Sequence, residues 1–138
     1  MMSRYLLAAC VARTAAFQAR RTVRRILSAR ALPPHLEQVK ANVAAGAALL
    51  LDVREPHEWA GNHFASAISA PLSALQQGDC PPEALDASKC LYLHCAAGIR
   101  VHPAKACLSQ LGCDDIVALK EGIGELYQLE FDALAEKG

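Results

Sequence analysis

Two runs of this chain, residues 47–53 and 90–94, are apolar or aromatic almost throughout and are strand-length rather than helix-length. A strand with no polar face is covered on both sides, which is the mark of a parallel sheet packed between helices. The segments around these runs alternate in the same sense. Apolar residues recur at Leu36, Val39 and Val43 and stop at Gly46, predicting a helix over 35–45. Residues 56–60 read as one helical turn carrying Trp59 inward, 67–70 as a short strand, 72–77 as a short helix, and 78–88, with Pro81 and Pro82, as a surface loop or loose turn. A helix follows through Lys105, Leu108 and Leu111, then a strand over 115–119 and a last helix over 122–135 with Leu126, Leu129 and Leu134 facing in. Strand and helix in alternation predict an α/β fold, a layered sandwich with a mainly parallel central sheet flanked by helices.

The second run delivers Cys95 to a loop, Ala96-Ala97-Gly98-Ile99-Arg100, with Pro103 suited to the first turn of the helix behind it. Free amides and the positive end of a helix dipole stabilise an anion placed before them. Cysteine pKa values fall from about 8.5 into a range of roughly 3.5 to 7.5 in such places or beside cations. Arg100 adds a permanent charge and a forked donor. The small residues Ala96, Ala97 and Gly98 let the loop wrap a group carried on Cys95. Cys95 is thus the candidate nucleophile, and residues 96–100 are the candidate binding loop.

Asp52 and Arg54 end the first run, where sites of open parallel sheets lie. They are candidates for the pocket, although a structural ion pair is the preferred reading. His102, two residues beyond Arg100, is a candidate for a proton or a positive charge near the reaction. His94 precedes the nucleophile and points to the other face of its strand, so it is expected to be packed or hydrogen-bonded behind the sheet. His35, His57 and His63 have no partners at metal-ligand spacing, so no metal site is expected.

The loop resembles that of the rhodanese family of sulfurtransferases, Cys-x-x-Gly-x-Arg after a buried strand, matched by Cys95, Gly98 and Arg100. Residues 49–59 resemble the family's strand and its Asp-Val-Arg-Glu-x-x-Glu-aromatic segment. Residues 63–71 resemble its Gly-His-Ile-Pro-Gly-Ala turn, with Asn62, Phe64, Ala65, Ser66 and Ser69 as departures. Residues 117–123 resemble the last strand and its Gly-Gly turn, with Glu121 in place of the first glycine and Leu126 where a tryptophan is common. The likeness covers about residues 32–134 in the family order, and three motifs at the right spacing are specific where one is weak.

The resemblance implies a rhodanese-like three-layer sandwich and an enzyme that carries sulfane sulfur as a persulfide on Cys95, from thiosulfate or a persulfide donor to a thiol or cyanide acceptor. A sulfur-relay protein is a candidate partner. No metal or organic cofactor is implied. Many members place basic or hydroxyl side chains where this chain has Ala96 and Ala97, so thiosulfate, a dianion, is the less favoured donor. Two other readings remain. The first is a cysteine-dependent phosphatase or arsenate reductase, whose loops put five residues between cysteine and arginine where this chain has four. The second is a non-catalytic binding or regulatory module, against which Cys95 in an intact loop argues.

The 138 residues, 53% hydrophobic, suit one compact domain, expected over 32–138, behind an N-terminal extension over 1–31. Net charge is zero, but residues 1–30 hold seven of the 14 basic residues and no acid, which leaves −7 on residues 31–138. On a helical wheel that extension is basic and amphipathic. It suits a mitochondrial transit peptide, or a surface helix that meets anionic lipid or an acidic partner. No run approaches the roughly 18 apolar residues of a membrane span. Six cysteines with no Cys-x-x-Cys pair and no secretory signal predict reduced thiols in the cytoplasm, with the mitochondrial matrix as the alternative. Cys107 and Cys113 are ordinary packing residues with an outside claim to a resolving role. Nucleic acid is not an expected partner.

Overall fold

A computed structural model describes residues 31–136. Strands β1 (Ala48–Asp52), β2 (Ala67–Ser69), β3 (Cys90–His94) and β4 (Ile116–Ala118) form one sheet in the order β2-β1-β3-β4. Every pairing is parallel, with Asp52 opposite Ser69 on one side and His94 on the other. The sheet is therefore parallel throughout, as the two doubly apolar runs predict. Among the described residues five helices connect and flank it: α1 (Pro34–Ala44), α2 (Pro56–Gly61), α3 (Leu72–Gln76), α4 (Val101–Gln110) and α5 (Ile123–Gln128), with a 3-10 turn over Pro82–Leu85.

Side-chain alternation along β1 and β3 makes two cores. Leu51, Val53, Leu91, Leu93 and Cys95 face Leu75 of α3 and Val101, Ala104 and Leu108 of α4. Ala48, Leu50 and Tyr92 face Leu36 and Val39 of α1, Phe64, Leu126 of α5 and Phe131. Leu51 and Leu93 have no exposed surface, and truncating either to alanine removes about 2–5 kcal/mol. These three layers are the expected architecture.

Two expectations are corrected. The last helix ends at Gln128, not near Ala135, because Glu130 takes a left-handed conformation (φ 53°) and turns the chain back. The turned segment puts Phe131 in the core and pairs Leu134 with Phe64 in an isolated antiparallel bridge, so Leu134 packs inward without being helical. Trp59 does not enter either core. It is half-buried and stacks on His63 with ring centroids 3.7 Å apart, while the His63 Nδ1 lies 2.9 Å from the Trp59 carbonyl.

His94 faces away from Cys95, as strand alternation requires, and is packed rather than hydrogen-bonded. Both ring nitrogens are buried with no hydrogen-bond partner among the described residues; Nε2 lies 3.9 Å from Asp52 Oδ2, and the ring tilts against Phe64 at 5.5 Å. Burial pulls its pKa down to about 4; Asp52 opposes and Arg54 assists that shift. The unfolded chain, titrating near 6.5, then binds more protons than the fold between about pH 4 and 6.5, so stability is lost as pH falls through that window. Urea unfolding at pH 7 and pH 5 is expected to show a loss of about 2 kcal/mol from this residue. His94→Leu removes that part of the slope; an unchanged slope would mean the imidazole is charged in the fold.

Candidate active site

The sheet order places the topological switch between β1 and β3, whose connections leave in opposite directions. Ligands of open α/β sheets bind beyond the carboxyl ends of such strands. Cys95 emerges there from β3, with 1% of its surface exposed. The loop turns back at Gly98 (φ 73°), where the Gly98 amide donates to the Cys95 Sγ at 3.1 Å. Arg100 is the N-cap of α4 and Val101 its first residue. Burial pushes the thiol up, but the amides of Ala97, Val101, Arg100 and Gly98 outweigh it, and the Cys95 pKa lies below the ordinary cysteine value. In contrast, burial pushes Cys80, Cys90 and Cys113 up. One thiol among these four is thus prepared as an anion, by oriented backbone more than by charge.

Arg100 meets a partner that sequence spacing hides. Its Nη1 and Nη2 donate to Glu58 Oε1 and Oε2 at 3.0 and 2.9 Å, a bidentate pair formed across the switch point between the loops after β1 and β3. The guanidinium holds the Glu58 carboxyl below the usual carboxylate range, against the opposing effect of partial burial. Glu58 lies in the segment after β1 that carries the family likeness, but 42 residues separate the pair.

A second support comes from the chain after β4. The Ile123 amide donates to the Cys95 carbonyl at 2.9 Å. A Cβ on Gly122 would overlap the Ala96 carbonyl, 2.7 Å from its carbon, and one on Gly98 would stand 2.9 Å from the Lys120 carbonyl carbon. Residues 120–123 therefore press on the loop from behind through backbone contacts that only glycine permits. Glu121, in place of a family glycine, is buried, with its Oε1 2.6 Å from Nε2 of His35.

The other sequence candidates fall as follows. Asp52 and Arg54 are both buried, and Arg54 donates to the Asp52 carboxylate three times from its side chain, the shortest from Nη2 to Oδ2 at 2.7 Å, and once from its backbone amide. Arg54 also donates to the Asn62 carbonyl at 2.7 Å, so the pair ties the end of β1 to the turn after α2. His102 is exposed on the first turn of α4. Ala96 and Ala97 are exposed at the mouth, and Ile99 is 72% exposed at its rim.

Residues 35–128 match the model of the rhodanese-like domain. An uncharacterized protein, YqhL of Bacillus subtilis, is 39% identical over 75 residues, 54% of this chain and 57% of that protein, so the match spans little more than half of the relative. The rhodanese-related protein of Thermoplasma volcanium is 29% identical with a TM-score of 0.58, over 77% of this chain and 97% of that one. The single-domain sulfurtransferase RDL2 of Saccharomyces cerevisiae is 25% identical with a TM-score of 0.55, over 70% of this chain and 88% of that one. With its parallel sheet, its cysteine loop at the switch point and a family match over most of its length, the chain belongs to the rhodanese-like domain family.

Proposed function

We propose that the protein is a sulfurtransferase that holds sulfane sulfur as a persulfide on Cys95. The observation that carries this reading is the set of amides around the Cys95 sulfur, which favours the thiolate in spite of burial. The thiolate attacks the outer sulfur of a donor, keeps it, and passes it to a thiol or cyanide acceptor, in a two-step cycle without a metal or organic cofactor. The amides of Ala97, Gly98, Arg100 and Val101 hold the outer sulfur anion, and Ala96, Ala97 and Ile99 line the way in. Steady-state rates against donor at several acceptor concentrations test the cycle: parallel double-reciprocal lines are expected, and converging lines would overturn it.

Arg100 orients the loop through Glu58 and adds a guanidinium whose charge interacts with Cys95. Arg100→Ala is expected to slow persulfide formation by roughly one to two orders of magnitude, as read in single-turnover mixing, because it removes a charged donor and leaves the Glu58 carboxylate unpaired. An unchanged rate would mean that the amides suffice. The spacing of four residues between Cys95 and Arg100 argues against the phosphatase or arsenate reductase reading, since a loop this short suits one sulfur atom better than a tetrahedral oxyanion. Among the described residues no helix is long and apolar enough to cross a membrane. The reading of the location as cytoplasm rests on the cysteine pattern and the lack of a secretory signal, and the mitochondrial alternative on residues 1–30, which lie outside the described ones.

A further inference from the structure

The loop from Cys95 to His102 holds one arginine and no lysine, and that arginine is paired on both terminal nitrogens with Glu58. The ion pair has no net charge. A second carboxylate, Glu55, lies close by at the start of α2, held by the Ser73 hydroxyl at 2.7 Å. Arg54, whose charge also reaches Glu58, is buried and paired with Asp52, and the basic side chains His57, His102, Lys105 and Lys120 are exposed, where solvent and salt screen any charge they carry. Neutral amide dipoles therefore do most of the work of stabilising the thiolate.

We propose that Glu58 sets the charge of the sulfur donor: by cancelling Arg100 it makes the site discriminate against dianionic thiosulfate and favour a hydropersulfide, which reacts through its uncharged RS–SH form. The inference rests on the sulfur-carrier reading and adds a specificity-determining residue to it. With thiosulfate, the Cys95 thiolate bonds to the sulfane sulfur, the bond to the sulfonate sulfur breaks, and sulfite leaves with the electron pair. Three negative charges meet in that encounter and persist through the transfer. With a hydropersulfide RS–SH, the thiolate bonds to the outer sulfur, the S–S bond breaks, and RS leaves as a thiolate that takes up the proton released by the new persulfide. One negative charge is present throughout. A dipole-lined site stabilises one charge well, whereas three repel one another unless a cation is supplied. Glu58 withdraws the cation at hand.

The test compares the wild type with Glu58→Gln, using thiosulfate and cysteine hydropersulfide as donors. Removing the carboxylate charge is expected to raise the ratio of kcat/KM for thiosulfate to that for the hydropersulfide by about tenfold, the effect of about one kcal-scale charge contact near a surface. In the wild type, raising ionic strength from about 0.01 M to about 0.15 M is expected to raise kcat/KM for thiosulfate several-fold and to leave the hydropersulfide value flat. The salt arm decides the matter alone if the variant does not fold. An unchanged donor ratio in Glu58→Gln, or thiosulfate kinetics that improve as salt is lowered, overturns the proposal. A wild type that takes sulfur from neither donor overturns the sulfur-carrier reading itself, an outcome distinct from a lost preference.

Discussion

Replacing Gly122 by alanine is expected to lower kcat/KM for sulfur transfer by about 100-fold or more. The added methyl has nowhere to go, since its carbon would overlap the Ala96 carbonyl and stand 3.2 Å from the Ala97 nitrogen. Neither contact is the end of a flexible side chain, so backbone must move. What moves is the loop that aims amides at Cys95, or the segment whose Ile123 amide holds the Cys95 carbonyl. A misplacement of about 1 Å costs about two orders of magnitude in a site built on orientation. Overpacking lowers stability by about 1–3 kcal/mol as well. Gly124, two residues on, is the control: a Cβ there meets nothing within 4 Å, so Gly124→Ala is expected to keep activity and to gain a few tenths to about 1 kcal/mol. Rates and urea midpoints of both variants check the account. Full activity in Gly122→Ala would show that the loop keeps its shape without the clamp.

Cys95→Ser is expected to remove turnover by at least about three orders of magnitude while changing stability by no more than about 1 kcal/mol. The volume hardly changes at a position with 1% of its surface exposed, and the surrounding amides have an oxygen to donate to. The chemistry changes completely, because an alcohol does not ionise near neutral pH and a bond from its oxygen to sulfane sulfur is a poor store. Single serine replacements at Cys10, Cys80, Cys90, Cys107 and Cys113 are expected to keep most of the activity. Burial raises the pKa of Cys80, Cys90 and Cys113, so these three are not prepared as anions. A Cys95→Ser protein that still turns over would move the sulfur carrier to another thiol.

The parts of this molecule that could be read from its sequence are those whose cause is local. Residues 47–53 and 90–94 are apolar on both faces, and they became the two central strands of the sheet. His94 was placed behind the sheet by strand alternation alone, and Cys95 in front of it. The loop-to-helix junction after Cys95 was visible in Gly98 and Pro103. Contacts between distant segments were not legible. Nothing near Arg100 announces Glu58, and Gly122 reads as an ordinary turn residue until the Ala96 carbonyl is placed against it. The last helix is shorter than its pattern predicts for a related reason: Leu126, Leu129 and Leu134 look periodic, but Glu130 adopts a left-handed conformation and the Leu134 contact comes through a bridge to Phe64. A helical turn over 56–60 predicts Trp59 facing inward, yet it stacks on His63 outside both cores.

The measurement closest to the central claim is the mass of the protein after incubation with thiosulfate or cysteine hydropersulfide and removal of excess donor. One sulfur, about 32 mass units, is expected on the intact chain, on the peptide that contains Cys95, and not in Cys95→Ser. Cyanide or a thiol should discharge it. No added mass with either donor, or a sulfur found on a peptide without Cys95, would contradict the account.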